Sequence, residues 1–75
     1  MKYIVIELQT GTDGKVANIV TDHDTLAEAQ HKYYAVLSAA AISTVSVHAA
    51  VLMDNQGFAL EGKAFNHAVV EESQS

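Results

Sequence analysis

The sequence predicts a two-layer α+β fold in which two β-hairpins flank a single helix. The hairpins are indicated by turn signals at residues 10–14 and 54–57, each lying between segments rich in β-branched or aromatic residues. The helix is indicated by apolar residues that recur at spacings of three and four between the hairpins. Such a helix and such strands each span about 25 Å, so one helix fits along one face of a four-stranded sheet.

The first and third strands, at residues 2–9 and 45–53, are the most apolar and are therefore predicted to be central. The second strand, at residues 15–21, is more polar. The fourth, at residues 58–66, mixes apolar and charged residues. These two strands are therefore placed at the edges. The predicted strand order is 2-1-3-4, with every neighbouring pair antiparallel.

The helix is predicted over residues 25–41. Thr25 followed by Glu28 fits a capping box, in which side chains bond the free amides of the first turn. The apolar stripe of the helix consists of Leu26, Ala29, Tyr33, Val36, Leu37 and Ala40. The resulting single domain covers residues 1–68, and residues 69–75 are predicted to form a flexible tail.

Composition excludes several classes of protein. The chain has 75 residues, of which 49% are hydrophobic, and a net charge of -5, so we expect a folded acidic protein that binds neither nucleic acid nor a membrane. No apolar run is long enough to span a bilayer, and the first residues do not follow the pattern of a secretory signal. The chain contains no cysteine, which excludes thiolate chemistry and favours a cytoplasmic location.

The stability expected of a monomer is small. Apolar burial contributes on the order of 108 kcal/mol for a chain of this size. Ordering the chain costs on the order of 110 kcal/mol. Because these contributions cancel, self-association is expected to add stability, and we predict a homo-oligomer, most simply a dimer.

One helix covers one face of the sheet, so the orientation of the strands decides what the other face exposes. We expect Ile4, Ile6 and Leu8 to face the helix, together with the wholly apolar alternate residues of the third strand. The predicted outer face then carries an apolar interface made of Tyr3, Val5, Leu52 and Phe65. Pairing of an edge strand is a second route to the same subunit contact. Two alternatives for this face are a ligand groove and a solvated sheet surface.

Three titratable residues are expected to meet on the predicted outer face: Glu7, His48 and Glu61. A carboxylate beside an imidazole orients it and favours its protonated form, as general acid–base catalysis requires. Cross-strand charge pairing, or a hydrogen-bonded histidine in an interface, explains the same residues without catalysis.

No metal or cofactor site is predicted. Asp22, Asp24, His23 and His31 offer oxygen and nitrogen ligands, but they lack the pair of histidines at i and i+4 that is typical of zinc-binding helices. An acidic helix cap explains them more simply. The glycine-containing segment at residues 11–15 lacks the spacing of a phosphate-binding loop and no helix follows it, so we interpret it as a hairpin turn.

Three stretches of sequence carry a resemblance to other proteins: residues 1–9, the three alanines at 39–41 and residues 47–51. In these the chain resembles a group of short uncharacterised proteins of gut Firmicutes, which form no named family. The resemblance implies a bacterial, cytoplasmic setting.

Together these observations predict a small non-enzymatic interaction or assembly module that self-associates. The alternative is a small-molecule binding protein or an enzyme that uses Glu7, His48 and Glu61. Burial of these residues in a subunit contact would favour the module, and a pocket lined by them would favour the alternative.

Overall fold

The computed structural model describes residues 2–67 and contains four strands and one helix. These are strand β1 (Tyr3–Thr10), strand β2 (Val16–His23), helix α1 (Leu26–Ala41), strand β3 (Val47–Asp54) and strand β4 (Ala59–Asn66). The strands form one antiparallel sheet in the order β2-β1-β3-β4. The predicted fold class and strand order are therefore confirmed. The predicted flexible tail, residues 69–75, lies outside the described residues.

Local sequence signals account for the turns and for the start of the helix. Gly14 and Gly57 adopt φ angles of 84° and 93°, a region that favours glycine. The Asp54 carboxylate closes the second turn by accepting hydrogen bonds from the backbone N–H groups of Gln56 and Phe58. Thr25 is the N-cap of α1, and its Oγ1 accepts a hydrogen bond of 3.2 Å from the Glu28 N–H.

The core lies between α1 and the two central strands. Its most buried sheet residues are Val5, which is 1% exposed, and Ala50 and Leu52, which are fully buried. They pack against the helix residues Ala29, Tyr33 and Val36, and Tyr3 and Leu37 are partly buried against the cluster.

The predicted orientation of the strands was wrong. Val5 and Leu52 lie beneath the helix, so Ile4, Ile6 and Leu8 and the alternate residues of β3 lie on the other side of the sheet. The prediction assumed that the more apolar face would be the covered one. Strands β2 and β3 are parallel to each other and are connected through α1, and such crossovers are right-handed in nearly all proteins. Chain handedness thus selects the covered face even when the other face is more apolar.

The side of the sheet opposite the helix is called the open face below. Among the described residues, no element packs on it. Its apolar members are Ile4, Ile6, Leu8, Val16, Val20, Val47, Ala49, Val51, Met53 and Ala64. The residues contributed by β1 and β3 are half-buried, because neighbouring side chains on the same face shield one another.

Candidate functional site

The most concentrated polar chemistry lies under the C-terminal half of α1, where two predicted residues meet. His48 is only 4% exposed, and its Nε2 lies 2.6 Å from Glu7 Oε2. Its Nδ1 lies 2.9 Å from Ser43 Oγ, in the loop that follows the helix. Gln9 donates a second hydrogen bond, of 2.9 Å, to the same Glu7 oxygen. We call Ser43, His48, Glu7 and Gln9 the buried relay, after the buried His48; the other three residues are half-buried.

The protonation pattern of the buried relay follows from its partners. An ionised carboxylate only accepts hydrogen bonds, so the His48 Nε2 must carry the proton directed at Glu7. In the neutral ring Nδ1 then accepts from the Ser43 hydroxyl. Burial raises the pKa of the Glu7 carboxyl, but the hydrogen bonds from His48 and Gln9 outweigh burial and leave that pKa below its ordinary value. Glu7 is therefore held as a carboxylate at neutral pH.

A serine hydroxyl, an imidazole and a carboxylate linked by hydrogen bonds in that order form the arrangement that activates a serine nucleophile in many hydrolases. Here the imidazole is enclosed between helix and sheet. A cleft of about 510 Å³ lies nearby, between the first turn and the loop after α1, and its wall includes Gln9, Thr44 and Ser46 but neither Ser43 nor His48. The buried relay therefore ties the loop after α1 to the central strands, and we interpret it as structural.

Glu61 makes a different contact from the other two titratable residues. Its carboxylate accepts a hydrogen bond of 3.3 Å from Tyr34 Oη at the edge of the helix. On the same strand, the Lys63 ammonium lies 5.3 Å from the centre of the Phe65 ring, which is stacked on His67. Glu7 and His48 were thus correctly expected to meet, but they do so beneath the helix, while Glu61 bonds to Tyr34.

The four predicted interface residues all lie on the helix side of the sheet. Val5 and Leu52 belong to the core and offer no surface to a partner. Tyr3 is packed against that core, and Phe65 lies opposite His48 in the register of β3 and β4. Their predicted position on the uncovered face was wrong because the strands are turned the other way.

A groove of about 820 Å³ separates α1 from β2 and includes the acidic and histidine residues considered as metal ligands. Lys2 Nζ is hydrogen-bonded to Asp24 and lies 3.4 Å from Asp22, which raises the pKa of Lys2 and lowers that of Asp24. His23 Nε2 lies 3.0 Å from Thr21 Oγ1. Within residues 2–67 no group of three or more His, Cys, Asp or Glu residues is arranged to hold a metal ion.

Sequence reasoning missed two members of the buried relay. In the sequence Ser43 indicates only the end of the helix, and Gln9 only a polar position of the first strand. The available signal was a serine in the loop five residues before a histidine that begins a buried strand.

Comparison with known proteins supplies no further assignment. No protein-family model, no curated protein and no solved structure matches the chain. In the part of the chain that the structure describes, no helix has the length and apolar character needed to cross a membrane.

The open face is the remaining candidate site, and its strand positions carry few polar or titratable side chains. Among the strand positions on this side of the sheet, the only charged residue is Asp22, at one corner. The polar residues Thr10 and Asn66 lie at strand ends, and Asn18 lies on the edge strand. The centre of the face is therefore a continuous apolar surface, which is typical of an interface.

Proposed function

We propose that this protein is a small non-enzymatic assembly module that self-associates through its open face. The observation that carries the proposal is the apolar character of the open face across both central strands. The proposed partner is a second copy of the same chain, which presents the same apolar surface by symmetry. A cytoplasmic location belongs to the same proposal and is supported by the absence of cysteine.

The size of the open face supports this partner. Four strands spaced by about 4.8 Å, each with eight residues of about 3.4 Å rise, give a flat footprint on the order of 500 Å² per chain. Two copies would cover on the order of 1,000 Å² before side-chain relief is counted, which reaches the lower limit for a specific interface. Two sheets packed in this way would form the core of a sandwich with both helices outside.

The positions of the charged residues also support self-association through the open face. The chain carries a net charge of -5, so two copies repel each other at long range. The charged side chains of residues 2–67 lie on the helix side, in the turns or at the corner marked by Asp22, so the described centre of the open face brings no like charges together.

The enzymatic alternative has less support. It was based on Glu7, His48 and Glu61 lining an accessible face, whereas His48 is 4% exposed and Glu61 contacts Tyr34. The buried relay is fully explained by its hydrogen bonds, because no buried side-chain nitrogen or oxygen among the described residues lacks a partner.

A matched pair of variants tests the proposal. Ala49→Lys puts a charge on the open face, whereas Ala39→Lys makes the same substitution on the exposed surface of α1. Both lower the magnitude of the net charge equally, so neither adds long-range repulsion. Sedimentation across a dilution series should show Ala49→Lys at half the parent mass and Ala39→Lys at the full parent mass. A parent that is monomeric at every concentration, or an Ala49→Lys variant that keeps the parent mass, would refute the proposal.

A further inference from the structure

The two edges of the sheet are built differently. The outer strand β4 contains Gly62 and Lys63, and its register with β3 shifts between Leu52 and Met53. Charged residues and bulges of this kind are the usual means by which proteins prevent an edge strand from pairing with another chain. The β4 edge is therefore protected.

The opposite edge strand, β2, has neither a bulge nor a lysine, and its one acidic residue, Asp22, lies next to its C-terminal end. Its eight residues, Val16–His23, pair with β1 in an unbroken register and include no proline, glycine or lysine. Three of its apolar side chains are about half exposed: Val16 at 56%, Ile19 at 50% and Val20 at 58%. A regular edge whose central residues carry no charge is a template for another strand.

The first turn determines which backbone groups of β2 are available. The Gly11 N–H donates a hydrogen bond of 3.0 Å to the Lys15 carbonyl, so these residues form a hydrogen-bonded pair. Such pairs alternate along an antiparallel ladder, and Ile19 opposite Glu7 is therefore also a hydrogen-bonded pair. The N–H and C=O groups of the even-numbered residues, including Asn18 and Val20, consequently point away from the sheet.

We infer that β2 pairs antiparallel with β2 of a second copy, about a two-fold axis that passes through Ile19. In this register Asn18 lies opposite Val20 of the second copy, and all four outward-pointing residues of β2 take part in hydrogen-bonded pairs. Ile19 of one chain lies opposite Ile19 of the other in a non-hydrogen-bonded pair, in which the two Cα atoms are about 4.5 Å apart. Pairing then buries two isoleucines that the single chain leaves half exposed.

Edge pairing deepens the proposed function, because it rests on the same partner, a second copy, while using a different surface. The two sheets become one eight-stranded sheet with both helices on the same side, since directly opposite residues of antiparallel strands share a face. The two open faces also become one continuous apolar surface. Two such dimers pack through it, so edge and face contacts together give a tetramer with dihedral symmetry.

Disulfide trapping tests the register directly, because the chain has no cysteine of its own. Ile19→Cys places two sulfurs across the axis at a Cα separation of about 4.5 Å, within the range that a disulfide bridges. Ala17→Cys is the matched control on the same strand and the same face. Position 17 lies opposite Thr21 of the second copy, so the Cα atoms of the two introduced cysteines would lie about 14 Å apart, too far to bridge.

Under mild oxidation, Ile19→Cys should form a covalent dimer, while Ala17→Cys should stay a single chain under the same conditions. Equal yields for the two variants would overturn the inference, as would a higher yield for Ala17→Cys. Asn18→Pro supplies a second measurement, since it removes an outward N–H group without removing a bond to β1. Asn18→Pro should sediment at half the parent mass. If this variant sediments at the full parent mass, the inference is overturned as well.

Failure of the edge contact is distinguishable from failure of the open-face contact. If both contacts exist, Ala49→Lys is a dimer held by the edge contact, and adding Ile19→Cys to it still gives a covalent dimer. Only the double variant Ala49→Lys, Asn18→Pro is then monomeric. If Ala49→Lys alone is monomeric and Ile19→Cys is not trapped, the open-face proposal stands and the edge inference is wrong. If Ala49→Lys keeps the parent mass and Ile19→Cys is trapped, the reverse holds.

Discussion

Truncation of Leu52 is the sharpest test of which side of the sheet forms the core. Leu52 is fully buried against α1, whereas its neighbour Met53 lies on the half-buried open face. Buried leucine to alanine substitutions cost about 2–5 kcal/mol, from lost burial and from the cavity that remains. A domain of this length has a free energy of unfolding of roughly 4–11 kcal/mol, so Leu52→Ala removes a large fraction of it.

Met53→Ala provides the control, because its side chain is of similar size and lies one residue away on the opposite face. In the dissociated chain it should cost less than about 1 kcal/mol, as its side chain already borders solvent. If the chain self-associates through the open face as proposed, mass action makes the cost of Met53→Ala increase with protein concentration, while the cost of Leu52→Ala stays constant.

Urea unfolding followed by circular dichroism at two protein concentrations measures both variants. A loss of about 2 kcal/mol or more also lowers the melting temperature of a domain this small by at least about 8 °C. If Leu52→Ala costs under about 1 kcal/mol while Met53→Ala costs more in dilute solution, the orientation of the strands described above is wrong.

Three further predictions follow from individual contacts and from the net charge. The pKa of Glu7 in the folded state is below its ordinary value, so its contribution to stability is present above about pH 5 and is lost as the pH falls through the lowered pKa. Urea titrations from neutral to strongly acidic pH should therefore show that the free energy of unfolding falls less steeply with acid for Glu7→Gln than for the parent. Thr25→Ala removes the helix cap and should cost about 1 kcal/mol, while Thr25→Ser should restore most of it, as thermal unfolding would report. The net charge of -5 predicts no mobility shift with DNA or RNA at low salt, and a complex that weakens steeply with added salt would contradict it.

The elements and their order were predictable because local chemistry determines them. Thr25 provides a side-chain acceptor for the free amides at the start of a long apolar stripe, and it is the observed N-cap. Gly14 and Gly57 lie at the positive-φ positions of the two turns. Central and edge strands were also distinguishable, since β1 and β3 are apolar on both sides.

The orientation of the strands was not predictable from hydrophobicity, since both faces of β1 and β3 contain apolar residues. Val5 and Ile6 are nearly equivalent on any hydropathy scale, yet one is buried under the helix and the other lies on the open face. The information lies in the register of the first hairpin combined with the handedness of the crossover, and both are geometric properties of the backbone. The buried relay was missed for the same reason, because Ser43 meets His48 only when the loop folds over the helix-side face.

The two sides of the sheet differ in how polar and apolar residues are distributed between them. The helix side contains a buried histidine and a half-buried glutamate, glutamine and serine, whereas the open face has no charged residue at its centre. Hydrophobicity alone would expose Glu7 and His48 to water and bury Ile6 and Val51, but the handedness of the crossover places them the other way round. Self-association as proposed would also remove the open face from water, so that both faces contribute their apolar area to stability. The buried polar groups are tolerated since their hydrogen bonds are complete. The helix side is thus the core formed within the chain, and under the proposed self-association the open face becomes a second core shared with another copy.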